Sequence, residues 1–495
     1  MLKTPALYLL PLISLLSAAP TWAAEPLNAI VNSNQDSIQS DTQLTLREAI
    51  ALINGTLPLD QLSPTEKAQV EPSPDTARIT FNLPPTQTTI SLSSPLPDIT
   101  RTVTIDGTTQ PGYDANNTIG NDEWKIPTPI VTLTPAPSVN VLRGLTIAAD
   151  NVTIRGLSLY GFTMPHRRTA SLPPADIFIT DRQNQPSQGT VIENNWLGIA
   201  PSDSSPRSAF GVNIFNGKDT VIRHNAIAHH DGSGIITGVQ ATNTQISHNR
   251  IEDNGKAGMP DAIRLEGVIN NTQVISNWIA GNAGSGIFLF KPEGSAMIQN
   301  NTIQSNGRRL RRSAIYLTGS GHQVSNNVIT DQPGAGVVVG ATPRSDRNMI
   351  TQNRFARLAG LSIDLNAQLN GSVEAFQRGD GINARRNSGN RRLETGNAAI
   401  NAPEFLSPEF FILNGKVNLD GKADPGSQIE LYRVNESGSQ NGVLSEPIAT
   451  TETNAEGRFS FTLELSAGEV LSAIATHPDY GTSEPARNTT IRNLR

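Results

Sequence analysis

Apolar and polar positions along this chain recur as a unit rather than as a continuous stripe. In Ile192-Glu193-Asn194-Asn195-Trp196-Leu197, again at Ile222 through Ile227 and Ile246 through Ile251, and more loosely at Val274 through Ile279, the order is an apolar residue, two further residues, asparagine, any residue and an apolar residue. The series Asn195, Asn225, Asn249, Asn277, Asn301, Asn327 and Asn353 is spaced 30, 24, 28, 24, 26 and 26 residues apart. Each unit predicts a strand, a sharp bend and another strand. A second signal follows in each unit, a small residue before alternating apolar positions, as in Gly211-Val212-Asn213-Ile214, Gly286-Ile287-Phe288-Leu289 and Ala314-Ile315-Tyr316-Leu317. A period of this length with alternation inside it predicts stacked turns that bury their apolar residues against neighbouring turns. The expected fold is therefore all-β, a parallel β-helix. The seven asparagines read as a structural ladder, each side chain bonding to the turns above and below and satisfying backbone groups that the bend would leave orphaned.

The ends carry other patterns. Lys3, an apolar run from Ala6 to Leu16 and the small residues before Thr21-Trp22-Ala23 predict a secretory signal peptide over 1–23. Thr45 and Glu48 form a predicted capping box for a short helix that Gly55 ends, with Leu46, Ile50 and Ile53 as the face covering the first turn of the solenoid. Past Asn401 the repeat stops. Alternating segments with Phe459, Phe461 and Leu463 on one face predict a small β-sandwich over 406–495, which leaves 24–405 to the β-helix and its N-terminal cap.

Several of these residues resemble a known family. Leu44-Thr45-Leu46-Arg47-Glu48-Ala49-Ile50 is similar to the Cys-Ser/Thr-Leu-Arg-Glu-Ala segment (CSLREA) that opens exported bacterial right-handed parallel β-helix proteins of the pectin-lyase-like superfamily, with Leu44 in the cysteine position. Ile105 through Tyr113, Val152 through Leu157, Asn195-Trp196-Leu197-Gly198 and Leu361 through Leu365 continue the likeness in order. The resemblance implies the right-handed coil and an immunoglobulin-like module at the C-terminus. It names no activity, because such folds host lyases, hydrolases, epimerases and adhesins alike.

Composition narrows the function. A formal charge of -6 argues against a nucleic-acid partner, and the absence of cysteine removes thiolate metal sites, thiol nucleophiles and disulfides. No segment beyond the signal reads as a membrane span. The expected location is secreted or at the cell surface, with the periplasm as the alternative. No cofactor is expected; calcium is the one alternative, and Asp380-Gly381-Ile382-Asn383 offers it few carboxylates.

On a β-helix, outward side chains of successive turns stack into columns about 4.8 Å apart. One predicted column reads Asn213, Ile236, Arg264, Phe288, Tyr316, Val338, Ser362, and the next reads Glu266, Phe290, Thr318, Gly340, Asp364. Glu266 and Asp364 would then stand roughly 19 Å apart at that strand spacing, too far to flank one glycosidic bond. Arg264, Phe288, Phe290 and Tyr316 would form an exposed aromatic strip suited to stacking sugars, with Trp196 and Trp278 outward on another face and Arg309 and Arg312 in a basic loop able to hold acidic groups. Removing the Phe288 and Tyr316 rings would on this reading abolish binding and leave the melting temperature nearly unchanged. The neighbouring His224, His229, His230 and His248 read as bend-filling residues.

These features favour a scaffold that binds polysaccharide or cell-surface glycan on its lateral face without catalysis. The alternative is a polysaccharide lyase or glycosidase with a loop-built site, whose catalytic candidates are Asp261, Arg264 and Glu266. Convergence of Asp261, Glu266 and Glu293 on Arg264 in a groove would favour that alternative.

Overall fold

A computed structural model describes residues 26–120, 124–164, 173–200, 206–367, 377–385, 394–435 and 439–494. The predicted signal peptide over 1–23 lies outside them. Successive turns each give one short strand to three long sheets of twelve, ten and eleven strands, whose solenoid strands pair in parallel from turn to turn.

The core is built from columns. Ile154, Ile192, Ile222, Ile246, Val274 and Ile298 follow one another in register in the twelve-stranded sheet, and Ile235, Ile263, Ile287, Ile315 and Val337 do so in the eleven-stranded sheet. All are completely buried. β-Branched side chains pack tightly on a pleated surface, which is why isoleucine and valine dominate these positions.

The bend between the twelve- and ten-stranded sheets is held by asparagine. Asn225 Nδ2 donates to Asn249 Oδ1 at 3.0 Å and to the Ile192 carbonyl at 2.9 Å, while Asn249 Oδ1 also accepts the Asn225 backbone N–H. The same pattern links Asn195 through Asn353. The residue before each ladder asparagine is left-handed, with φ of 52–57° at Asn194, His224, His248, Ser276, Asn300, Asn326 and Gln352. That conformation costs a non-glycine residue energy, and the ladder bonds offset it. His224 and His248, among the predicted bend-fillers, occupy such positions and stack with ring centroids 5.1 Å apart.

A second ladder lies at the next bend. Asn254 donates to Asn282 and Asn282 to Asn306, and His230 takes the position before them, with its Nδ1 2.7 Å from Asn254 Oδ1. Sequence reasoning passed over this ladder, although each of its asparagines stands five residues after one of the first.

Both ends of the solenoid are covered. The helix α1 (Leu46–Asn54) has the Thr45–Glu48 capping box, and Gly55 closes it in the left-handed region at φ 76°. Leu46, Ile50 and Ile53 are buried, and Arg47 ties the helix to Asp36 and to the carbonyls of Ser94 and Pro95. At the other end, strands from Glu404 to Asn493 form a three-stranded and a six-stranded sheet with apolar faces continuous with the main core. This unit supplies acceptors to the last turn: Thr482 Oγ1 to Ile350 N–H, Glu430 to Gln352 N–H and Glu484 to Leu365 N–H.

Glu484 shares this seam with Asp364 and Asp380. Asp364 accepts the backbone N–H groups of Asp380 and Gly381, and Glu484 accepts those of Leu365 and Asn383. Burial, reinforced by the neighbouring carboxylates, pushes the Asp364 carboxyl up to about 7 and that of Glu484 up to about 8. The folded chain therefore holds protons that the unfolded chain releases near its ordinary values of 3.8 and 4.5. The resulting stabilisation is fully present below those values and is lost as pH rises through 7 and 8. Burial shifts His224, His229 and His322 downward instead, so above about pH 7.5, a unit over the ordinary imidazole value, they are neutral in both states and drop out. Thermal melts should therefore show stability falling as pH rises toward about 8 and levelling off above it, and Asp380→Asn should flatten that fall.

Candidate functional site

The register of the eleven-stranded sheet gives its outward column as Phe178, Asn213, Ile236, Arg264, Phe288, Tyr316, Val338 and Asp364. Asp364 thus belongs to the column of Arg264, where the sequence reading had Ser362, because the last turn is shifted by two residues. The column is outward but not open. Phe288 is 2% exposed, Tyr316 7% and Val338 0%, and with Ala335 they form an apolar cluster separate from the main core.

The aromatic strip is therefore a packing surface, correcting the expectation of an exposed platform. Phe288 stacks on Tyr316 at 5.1 Å and on Phe290 at 6.1 Å. The Arg264 guanidinium lies 4.9 Å from the Phe288 ring centre and 4.6 Å from that of Phe290, and Arg312 lies 5.9 Å from Phe288. Segment 377–381 joins the cover through the Gln377 carbonyl to Ser313, the Arg378 carbonyl to Ala335 and Arg378 Nε to the Leu310 carbonyl. Burial and Asp380 push the Tyr316 hydroxyl up to about 12. Of this group only Phe290 is open to solvent.

The ion pairs beside the strip decide the catalytic candidates. Asp261 is fully buried; it accepts Arg312 Nη1 at 2.9 Å and the Ser285 N–H at 2.9 Å, and Arg264 Nη1 stands 3.5 Å away. Burial pushes its carboxyl up against the pull of both arginines. Sealed from solvent and committed to two cations, Asp261 has no access to a substrate. Glu266 pairs with Arg264 at 3.2 Å and remains partly exposed. Asp261 and Glu266 thus meet at Arg264, and Glu293 forms no ion pair with it among the described residues.

The other candidates are dispersed. Trp196 and Trp278 stand half-buried on the ten-stranded sheet, away from this face. Trp278 is covered by Trp124, its ring 5.3 Å distant, and donates to Glu252. Arg309 is exposed and reaches the Lys256 carbonyl, while Arg312 is buried against Asp261 and cannot serve as a free basic contact.

The open part of the face lies toward the N-terminus of the strip. A groove of about 470 Å³ runs over the column at Asn213 and Ile236. Phe210, Phe215, Met164 and Met259 supply apolar wall, and Asn213, Thr237, Asp231 and Glu266 supply polar groups. Phe215 is half-buried and stacks on Phe178 at 5.7 Å, and Arg143 lies 3.4 Å over Phe178 from beyond. A Cβ at Gly232 would meet the Phe210 ring at 2.5 Å, which accounts for glycine at that point of the wall. Sequence reasoning missed Phe210, which precedes the repeated strand signal, and it missed Phe215 although Phe215 follows that signal at the offset Phe290 has in its own turn.

Behind the groove, Asp176, His230 and Ser208 are all fully buried. His230 Nε2 lies 2.8 Å from Asp176 Oδ2, and the Ser208 hydroxyl donates to Asp176. A nucleophile would need serine on the histidine and open to solvent. Here the serine bonds to the aspartate and the group braces the floor.

The sequence between 182 and 373 matches the family model described as periplasmic copper-binding protein (NosD). The chain is a parallel β-helix protein. It is an exported one, secreted or periplasmic, and among the described residues no helix is long and apolar enough to cross a membrane. No curated protein sequence matches it. Similar solved structures include the Streptococcus pneumoniae surface protein and adhesin PfbA, 14% identical over 59% of this chain and 85% of that one, with a TM-score of 0.34. The DFA-IIIase of Arthrobacter chlorophenolicus A6 in complex with GF2 is 11% identical over 66% and 88%, with a TM-score of 0.42. The enzymatically active domain of tailspike protein 2 of bacteriophage CBA120 is 10% identical over 84% and 71%, with a TM-score of 0.36. At these scores neither ligand nor chemistry carries over. Among the described residues no three of histidine, cysteine, aspartate or glutamate gather to hold a metal ion. His230 and His322 are moreover engaged by Asp176 and Asn254 and by Thr318 and Ala296.

The burial of the strip reverses the expected effect of removing it. Phe288→Ala should cost about 3–5 kcal/mol, as for other buried phenylalanines, with a lowered melting temperature in calorimetry, whereas an unchanged melting temperature would show the ring to be exposed.

Proposed function

We propose that this exported β-helix protein binds a glycan in the groove over Asn213 and Ile236 and does not cleave it. The observation that carries this reading is the groove's make-up: half-buried Phe210 and Phe215 and exposed Met259 form walls on which sugar C–H faces can lie, with hydrogen-bonding groups converging between them. The ladders flank the ten-stranded sheet, and the second of them borders the eleven-stranded sheet and fixes its edge, so the walls are held before ligand arrives and little ordering is required on binding. The C-terminal two-sheet unit, read as the immunoglobulin-like module over 406–495, serves as the end cap that shields the last turn.

A second reading has one observation of its own. Asp231 and Glu266 both line the groove, and a glycoside hydrolase works with two carboxyl groups on either side of the scissile bond. A lyase would need a base beside an acidic sugar, and the described lining contains no histidine, lysine or arginine.

Native electrophoresis through gels containing acidic, neutral or basic polysaccharides separates the two readings. Retarded migration with the polymer intact supports binding, and a cleared zone establishes cleavage. Phe215→Ala should weaken retardation about tenfold, equivalent to 1.4 kcal/mol, and leave the melting temperature within a few degrees of the parent.

A further inference from the structure

The charge of the groove goes one step further than its shape. Among its described lining residues the ionisable side chains are Asp231 and Glu266, both acidic. Among the described residues, Lys256 stands next to the lining residue Ala257 and Arg207 close before Ala209 without themselves lining the groove, and Arg207 reaches the His229 carbonyl. Arg264 is held between the Phe288 and Phe290 rings and by Asp261 and Glu266, and Arg312 is buried on Asp261. Arg309 reaches instead for the Lys256 carbonyl. Asp231 forms no ion pair among the described residues, and its backbone N–H is already satisfied by the Ser208 carbonyl, which fixes the residue at the groove wall. A polyuronate or sulfated chain entering here would set its anions beside two carboxylates and be repelled. A ligand with an apolar face and a cation would find both partners.

We infer that the groove selects a glycan carrying free amines, a chain of deacetylated amino sugars, with a ring face against Phe215 and an ammonium at Asp231. This rests on the groove being a glycan site. Charge complementarity decides the class: a protonated sugar amine donates three charge-assisted hydrogen bonds, and the half-buried Asp231 carboxylate is the described group free to accept them. Glu266, already shared with Arg264, adds field from the next turn of the groove.

The test is calorimetric titration of the full exported chain with three hexasaccharides: glucosamine, N-acetylglucosamine and galacturonate. The glucosamine hexamer should bind at least tenfold more tightly than the acetylated one, and galacturonate should not bind. Asp231→Asn should remove that preference by lowering glucosamine affinity about tenfold while leaving the acetylated hexamer unchanged. Phe215→Ala should weaken both. Equal affinity for the acetylated hexamer, or preference for galacturonate, would overturn the amine assignment and leave the glycan groove standing. Glucosamine binding that survives Phe215→Ala would show attraction to the acidic surface only and also overturn it. No binding by any of the three would overturn the assignment and the glycan reading together.

Discussion

The structure depends on one constraint, a bend that has to be made with a left-handed residue in every turn. A strand cannot turn a corner of the solenoid without rotating its peptide groups out of the sheet ladder, and those groups are buried. Asparagine resolves this because one planar amide both accepts from the turn before it and donates to the turn after it. Asn277 shows the whole pattern, taking the N–H and side chain of Asn249 and giving to the Ile246 carbonyl and Asn301. Each turn is thereby registered on the next before any core side chain is considered, and the isoleucine columns fall into line as a consequence.

That dependence explains what could be read from the sequence. The corner demands a particular chemistry at a fixed place, so the ladder asparagines, the polar residues before them and the inward alternation were all legible. The terminal helix was legible for the same reason, since Thr45, Glu48 and Gly55 each answer a local need. Asn254, Asn282 and Asn306 could have been found from their constant offset to the first ladder. The site was harder to read. Alternation tells which side of a strand a residue faces, not whether something lies over it. Phe288 and Tyr316 do face outward, and they are buried beside the loop that carries Arg312, just before Tyr316, and the segment at Gln377, which is distant in sequence. Aromatic side chains on an outward column mark the place where loops pack as readily as the place where ligands do.

The open groove and the closed strip follow from one sheet. Where loops carry arginine against aromatic rings, the outer face is sealed by cation–π contacts and buried ion pairs. Where the column offers Asn213 and Ile236, no arginine–ring contact lies over those two residues among the described residues, and Phe210 and Phe215 stand as walls. The rigid ladders beneath both regions mean that the difference lies in side chains and loops, not in the backbone of the solenoid. At the acidic seam at the C-terminal end, carboxylates are buried together, and burial pushes those of Asp364 and Glu484 up.

The central claim is that ladder-locked turns present a preformed groove on the eleven-stranded face, beside a strip that is already closed. Hydrogen exchange of the protein with and without a bound glycan tests it most directly. The account predicts slow exchange at the ladder amides in both states, with ligand-dependent protection confined to 209–215, 231–238 and 257–266. Protection appearing instead across Phe288–Leu317, or ladder amides that exchange freely before ligand is added, would contradict it.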